Sequence, residues 1–212
     1  VGAALSILGT VAAAVVSWTA LVLTIVLVVV CARALSGQSD PAATHSGASR
    51  PTPVVSASPL TGSINLDGKL DEPAWATASP VTSFTQIDPT EGAPASEKTE
   101  VRVLVGPDAL YIGAKLYESD PKSIRRRISR RDESVDGDVF AVTLDSRHDH
   151  LTAYYFRVTA GGAMRDAVAG GPNGLDLSWD AVWDVATRID SLGWVAEFSI
   201  PFSQIRFNNT EE

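Results

Sequence analysis

The 212-residue chain has one cysteine, Cys31, one methionine and three histidines. A single cysteine excludes an intrachain disulfide and any thiolate metal cluster. Enzyme signatures are equally scarce: there is no G-x-S-x-G, no H-E-x-x-H, no phosphate-cradling glycine loop and no dinucleotide fingerprint. Positive charge is short as well, with 17 Lys and Arg against 25 Asp and Glu, a formal charge of −8. Phosphate binding depends on clustered cations in a positive field, so a nucleic-acid partner is not expected. Residues 125–131 are the local exception, with five arginines in seven positions. Asp132, Glu133, Asp136 and Asp138 follow at once as counter-charges, which favours a solvated face over a phosphate or lipid contact.

Three parts can be read along the chain. No charged residue occurs before Arg33, and residues 21–30 read Leu-Val-Leu-Thr-Ile-Val-Leu-Val-Val-Val. Roughly 20 apolar residues suffice to cross a bilayer as a helix. Residues 1–34 are therefore expected to be a signal peptide, cleaved near Ala32-Arg33-Ala34, or a retained anchor, with lipidation at Cys31 ranked last because Val30 precedes it. Each places the remainder outside the cytoplasm, in the periplasm or at the outer membrane. Residues 35–62, rich in Ser, Ala, Thr, Pro and Gly, are expected to be a flexible linker. The third part, residues 63–212, is long enough for one domain with one core.

That domain announces itself between Ile64 and Trp75. Ile64 and Leu66 alternate as in a short strand, Asp67-Gly68 is tight-turn chemistry, and Asp71 is placed to cap a helix starting at Pro73, with Trp75 turned onto the core. Beyond it the apolar period is two. Strands are expected over 101–105 and 110–116, joined as a hairpin at Pro107-Asp108, and then over 139–145, 153–159, 164–168, 183–189 and 194–200. The strand over 139–145 is apolar on both sides and is expected to be central. Helical signals are confined to 73–78, 121–128 and 201–205. The fold class is all-β, an antiparallel β-sandwich with short helical turns.

Candidate chemistry lies in three groups. His148-Asp149-His150 is a metal clip or, more in keeping with three adjacent side chains, a polar turn; haem ligation by Met164 with one of these histidines has no spacing to support it. Acidic residues gather in one arm from Asp132 to Asp145 and another at Asp176, Asp180 and Asp184. Two converging carboxylates would serve glycosidic acid–base chemistry, and several oxygen ligands would hold calcium. Among the aromatics, Trp75, Trp183 and Trp194 are expected in the core. Trp179, within Asp176-Leu177-Ser178-Trp179-Asp180, is the candidate for stacking on a sugar ring while neighbouring Asp and Arg side chains bind its hydroxyls.

Several blocks, taken in order, resemble the family 9 carbohydrate-binding module-like (DOMON-like) sandwich, in the version found at the N-terminus of bacterial proteins with a domain of unknown function 5916. They are Asp67 to Glu72 with Trp75, Leu110-Tyr111-Ile112-Gly113, Arg130-Arg131-Asp132, Asp138 to Asp145, Tyr155-Phe156-Arg157-Val158, Trp179 to Trp183, and Gly193 to Glu197 leading to Ile200-Pro201-Phe202. The resemblance spans about residues 61–208 and implies a glycan ligand, calcium supporting the fold, and a larger protein with an outer-membrane-barrel-like region after this domain. It also implies two sugar-sandwiching tryptophans. Val135 stands where the first would be, and the second would follow Phe207, so Trp179 is the substitute, with Asp180, Arg131, Asp132 and Asp138 as polar partners. The expected function is a non-catalytic carbohydrate-binding module of an exported, envelope-associated protein, C-terminally truncated in this chain. The alternatives are a glycoside hydrolase using the two acidic arms and a docking domain for a β-barrel that uses the arginine run.

Overall fold

A computed structural model describes residues 54–170 and 174–207. The expected signal or anchor (1–34) and most of the expected linker lie outside the described residues. Among the described residues no helix is long and apolar enough to cross a membrane.

Two sheets face each other. The first has five strands in the order β1 (Ser58–Pro59), β2 (Thr99–Val105), β3 (Ala109–Tyr117), β9 (Gly193–Pro201) and β8 (Asp184–Asp190). The second has four, β4 (Val139–Leu144), β5 (Thr152–Thr159), β6 (Met164–Gly170) and β7 (Leu175–Asp176). Apart from the parallel β1–β2 pair, every pairing is antiparallel. The architecture is the expected β-sandwich.

Alternation decides which side chains meet between the sheets. Leu110, Ile112 and Leu116 from β3, Phe140, Val142 and Leu144 from β4, Phe156 and Val158 from β5, and Trp194, Phe198 and Ile200 from β9 are buried there. Trp183 lies flat on Phe198, centroids 5.4 Å apart and planes within 9°, and meets Phe156 edge-on at 5.3 Å. The β2–β3 hairpin turns at Pro107-Asp108 as expected.

The structure departs from expectation at four places. Residues 55–60, read as the end of the linker, belong to the fold: Val55 and Ala57 pack on the core, and the Leu60 N–H donates to the Val105 carbonyl at 2.8 Å. Strand β4 is an edge strand, not a central one; its outward Ala141, opposite Arg157 on β5, is nevertheless only 8% exposed. The helical signal after Pro121 yields a single 3-10 turn, Pro121–Ser123. Finally, Ile64 and Leu66 are not in a strand, and helix α1 (Pro73–Thr77) is preceded by Glu72 at the N-cap position, not by Asp71.

The stretch from Ile64 to Ala78 is a strap over the outer face of the five-stranded sheet. Trp75, 1% exposed, packs there with Ala74, Ala78 and Leu104. Gly113 makes this approach feasible, since a Cβ at that position would stand 2.6 Å from Leu70 and 3.0 Å from the Trp75 ring. Glu197, paired with Gly113 across the β3–β9 ladder, holds the strap down. Its carboxylate accepts the Asp67 and Gly68 N–H groups, each at 3.1 Å, and the Trp75 indole N–H at 3.3 Å.

Candidate functional site

Residues 176–183 run from β7 to β8 and carry Trp179, Asp180, Ala181 and Trp183. Asp166 fixes this segment. On β6 it alternates with Met164 and Val168 toward the interior, and it is fully buried. Its carboxylate accepts the Ala181 N–H at 2.7 Å, the Trp183 indole N–H at 3.2 Å and the Arg131 guanidinium at 2.6 Å. Arg131 also meets Asp180 at 3.0 Å and Asp132 at 3.7 Å, while the Asp132 carboxylate accepts the Asp166 N–H at 3.2 Å. Thus Arg131, Asp132 and Asp180, three of the sequence candidates, share one network centred on an acid that the sequence reading did not single out.

Asp132, Asp166 and Asp180 each offer an oxygen within 4.8 Å of the others. Calcium takes six to eight oxygens around an open centre. Here the Arg131 guanidinium already bridges the trio, and both Asp166 oxygens are engaged by donors. As folded, the donor set suits an arginine and not calcium.

Trp179 is partly buried, with its ring 5.0 Å from Tyr154 and 5.8 Å from Phe156. Trp179, Tyr154 and Val168 form the apolar wall of a groove of about 260 Å3, and Thr152, Arg147 and Arg206 complete it on the polar side. No carboxylate lines the groove among the described residues. Its rim is fixed locally: the Arg206 N–H donates to the Tyr154 hydroxyl at 3.2 Å, and the Ser146 hydroxyl donates to the Arg206 carbonyl.

Asp138 is not brought to this groove. It precedes β4, where its carboxylate accepts the Arg125 N–H at 3.0 Å, whereas Tyr154 pairs with Leu144 at the other end of that strand. Six residues of strand separate the two ends by about 20 Å. Burial raises the Asp138 pKa above the ordinary carboxylate value, partly offset by the Arg125 N–H.

The histidine loop is a polar turn. Asp149 accepts the Leu151 and Thr152 N–H groups, which hold its pKa low. The Asp145 carboxylate accepts the Asp149 and His150 N–H groups, and among the described residues no third metal ligand converges on His148 and His150.

A second concavity of about 380 Å3 lies on the outer face of the five-stranded sheet. Two ion pairs lie within it, Arg102 on Glu100 at 3.1 Å and Lys115 on Asp190 at 2.6 Å. The hydrogen bond from Lys98 lowers the Glu100 pKa, and Asp190 is lowered by Lys115 and the Leu192 N–H against its own burial. Neither acid is kept protonated for general-acid work.

No protein-family model and no curated protein sequence matches this chain. Solved structures similar to it include a carbohydrate-binding module family 9 from Caldicellulosiruptor kristjanssonii, determined in complex with cellotriose and with glucose. The cellotriose complex is 19% identical over 73% of this chain and 70% of that one, and the glucose complex 18% identical over 72% of each; both have a TM-score of 0.48. A presumed carbohydrate-binding protein from Bacteroides uniformis is 12% identical over 70% of this chain and 72% of that one, with a TM-score of 0.51. What is shared at this distance is the fold. The chain has the two-sheet sandwich that the motif order led us to expect of a family 9-like domain.

Proposed function

We propose that this chain is a non-catalytic carbohydrate-binding module that seats a sugar in the groove between Trp179 and Arg206. One observation carries the reading: the exposed part of the Trp179 ring stands beside Tyr154, Thr152 and two arginines in a groove free of lining carboxylates. An aromatic face stacks on the apolar face of a pyranose, and guanidinium and hydroxyl groups donate to its oxygens. Asp180 does not line the groove and pairs with Arg131 beside it. Arg131 and Asp132 position the Trp179 segment, and Asp138 belongs to the opposite end of β4. The fold shared with the Bacteroides protein is consistent with this role.

Among the described residues the groove holds no pair of acids for the hydrolase alternative. Asp132 and Asp180 are both engaged by Arg131 outside the groove, and the Asp176 pKa is lowered by the Ser178 hydroxyl and N–H. The proposal includes an extracytoplasmic setting. The apolar run 1–32 and the Pro- and Ser-rich residues after it support export or anchoring, with a barrel-like partner region in a longer protein of the kind the motifs resemble.

The test is a glycan array probed with the full chain in mild detergent, beside Trp179→Ala. Saturable binding to one glycan class, weakened at least about tenfold in the variant with an unshifted thermal transition, is expected. A folded protein silent on every glycan would contradict the reading.

A further inference from the structure

The outer face of the four-stranded sheet carries an arrangement that the groove does not use. Arg157 on β5 and Arg165 on β6 are direct cross-strand partners. Their side chains point away from the core, because Phe156 and Val158 occupy the inward positions of β5. Like charges directly opposite on a sheet are destabilising. Such a pair is ordinarily relieved by an acid on the same face, yet alternation puts Val139, Ala141, Thr143, Ala153, Tyr155 and Ala167 around it, none of them acidic.

Neither guanidinium has a hydrogen bond or ion pair among the described residues, and the Nε of each is buried without a partner. Leaving a buried donor unsatisfied is costly, and it is costlier still on a charged group. Both side chains are only partly exposed, and their stems lie over the sheet, where Ala167 is 0% exposed. The two side chains therefore rise from directly opposed positions, with ten N–H bonds between them and no acceptor among the described residues. In a chain of net charge −8, two adjacent uncompensated cations call for an acceptor from outside.

We propose that Arg157 and Arg165 form an oxyanion-binding site on the outer face of the four-stranded sheet, taking a phosphate, sulfate or carboxylate group between the two guanidiniums. Arginine forks match these groups bidentately, and one dianion relieves the repulsion of both charges. Tyr155, one row along the same face, gives the site an aromatic flank. The site is on the opposite face of β5 from Tyr154 and its groove, so it stands whether or not the groove binds sugar.

The experiment titrates sodium phosphate, and in parallel trigalacturonate, into the full chain in mild detergent at constant ionic strength set with sodium chloride. Heat of binding and the thermal transition are read for wild type, Arg157→Gln and Arg165→Glu. Wild type is expected to bind phosphate saturably with a millimolar dissociation constant and to melt at higher temperature in phosphate than in chloride. Arg157→Gln is expected to weaken binding about tenfold or more. Arg165→Glu gives Arg157 a carboxylate partner across the strand pair, so it is expected to abolish the phosphate response while raising the melting temperature in chloride. Trigalacturonate competing with phosphate identifies an acidic polymer as one source of the group; phosphate binding alone identifies the free anion. A wild type that distinguishes phosphate from chloride in neither readout, or phosphate binding that survives both substitutions, overturns the proposal.

Discussion

Glu197 and Asp166 are acids set at fully buried positions of otherwise apolar strand faces, and each organises a segment distant in sequence. Burial outweighs the three N–H donors that face Glu197 and pushes its pKa from the ordinary 4.5 up to about 7. A folded-state value above the unfolded one means that proton uptake favours folding. The contribution is therefore full below pH 4.5 and is lost as the pH rises through about 7. Urea midpoints measured from pH 5 to 8 should fall with pH more steeply in wild type than in Glu197→Gln; parallel profiles would count against this assignment. At Asp166 the contribution to test is that of its cationic partner. Arg131→Ala leaves a buried carboxylate short of its cation and should cost about 2–3 kcal/mol, measured by denaturant unfolding. Arg127→Ala, in the same arginine run but exposed, should stay within about 0.5 kcal/mol. The residue identities were visible in the sequence, Glu197 as a lone acid in an apolar strand. Their partners were not, because Asp67 and Trp75 lie more than a hundred residues away.

Strand period two sufficed to locate β2, β3, β4, β5, β6, β8 and β9 to within about two residues, even though β9 is buried on both faces and β8 is at least partly exposed throughout. The same logic gave β4 the wrong place within its sheet. Apolar side chains on both sides read as a central strand, whereas β4 lies at the edge of its sheet beside β5 alone. β1 escaped notice because two residues in a Pro- and Ser-rich stretch carry no period at all. Leu60→Ala tests whether that stretch is structural. It should lower stability by about 1–2 kcal/mol through lost packing on Leu104 and Tyr111, whereas a passive linker would show no change. For the candidate site, Trp179 was legible as an aromatic between a glycine-rich loop and a strand. Tyr154, Arg147 and Arg206 were not, because the groove joins three separated segments that only the tertiary fold brings together.

At the scale of the whole molecule, two sheets share one aromatic core, while the groove and the Arg157–Arg165 pair occupy opposite faces of one strand. With Arg131 neutralising the only three-acid grouping among the described residues, chelation has nothing structural to remove there. Adding EDTA to the purified protein should leave its melting temperature unchanged within about 1 °C, and a fall of several degrees would show that a bound cation supports the fold. Sugar in the groove should act the other way. A ligand at a hundred times its dissociation constant adds about 2.7 kcal/mol to the folded state. The decisive measurement is a calorimetric titration of wild type, Trp179→Phe and Trp179→Ala with the oligosaccharide that the array selects. We predict that Phe stays within a few-fold of wild type and that Ala loses at least about tenfold with its fold intact; equal affinities in all three proteins would contradict a sugar-binding groove at Trp179.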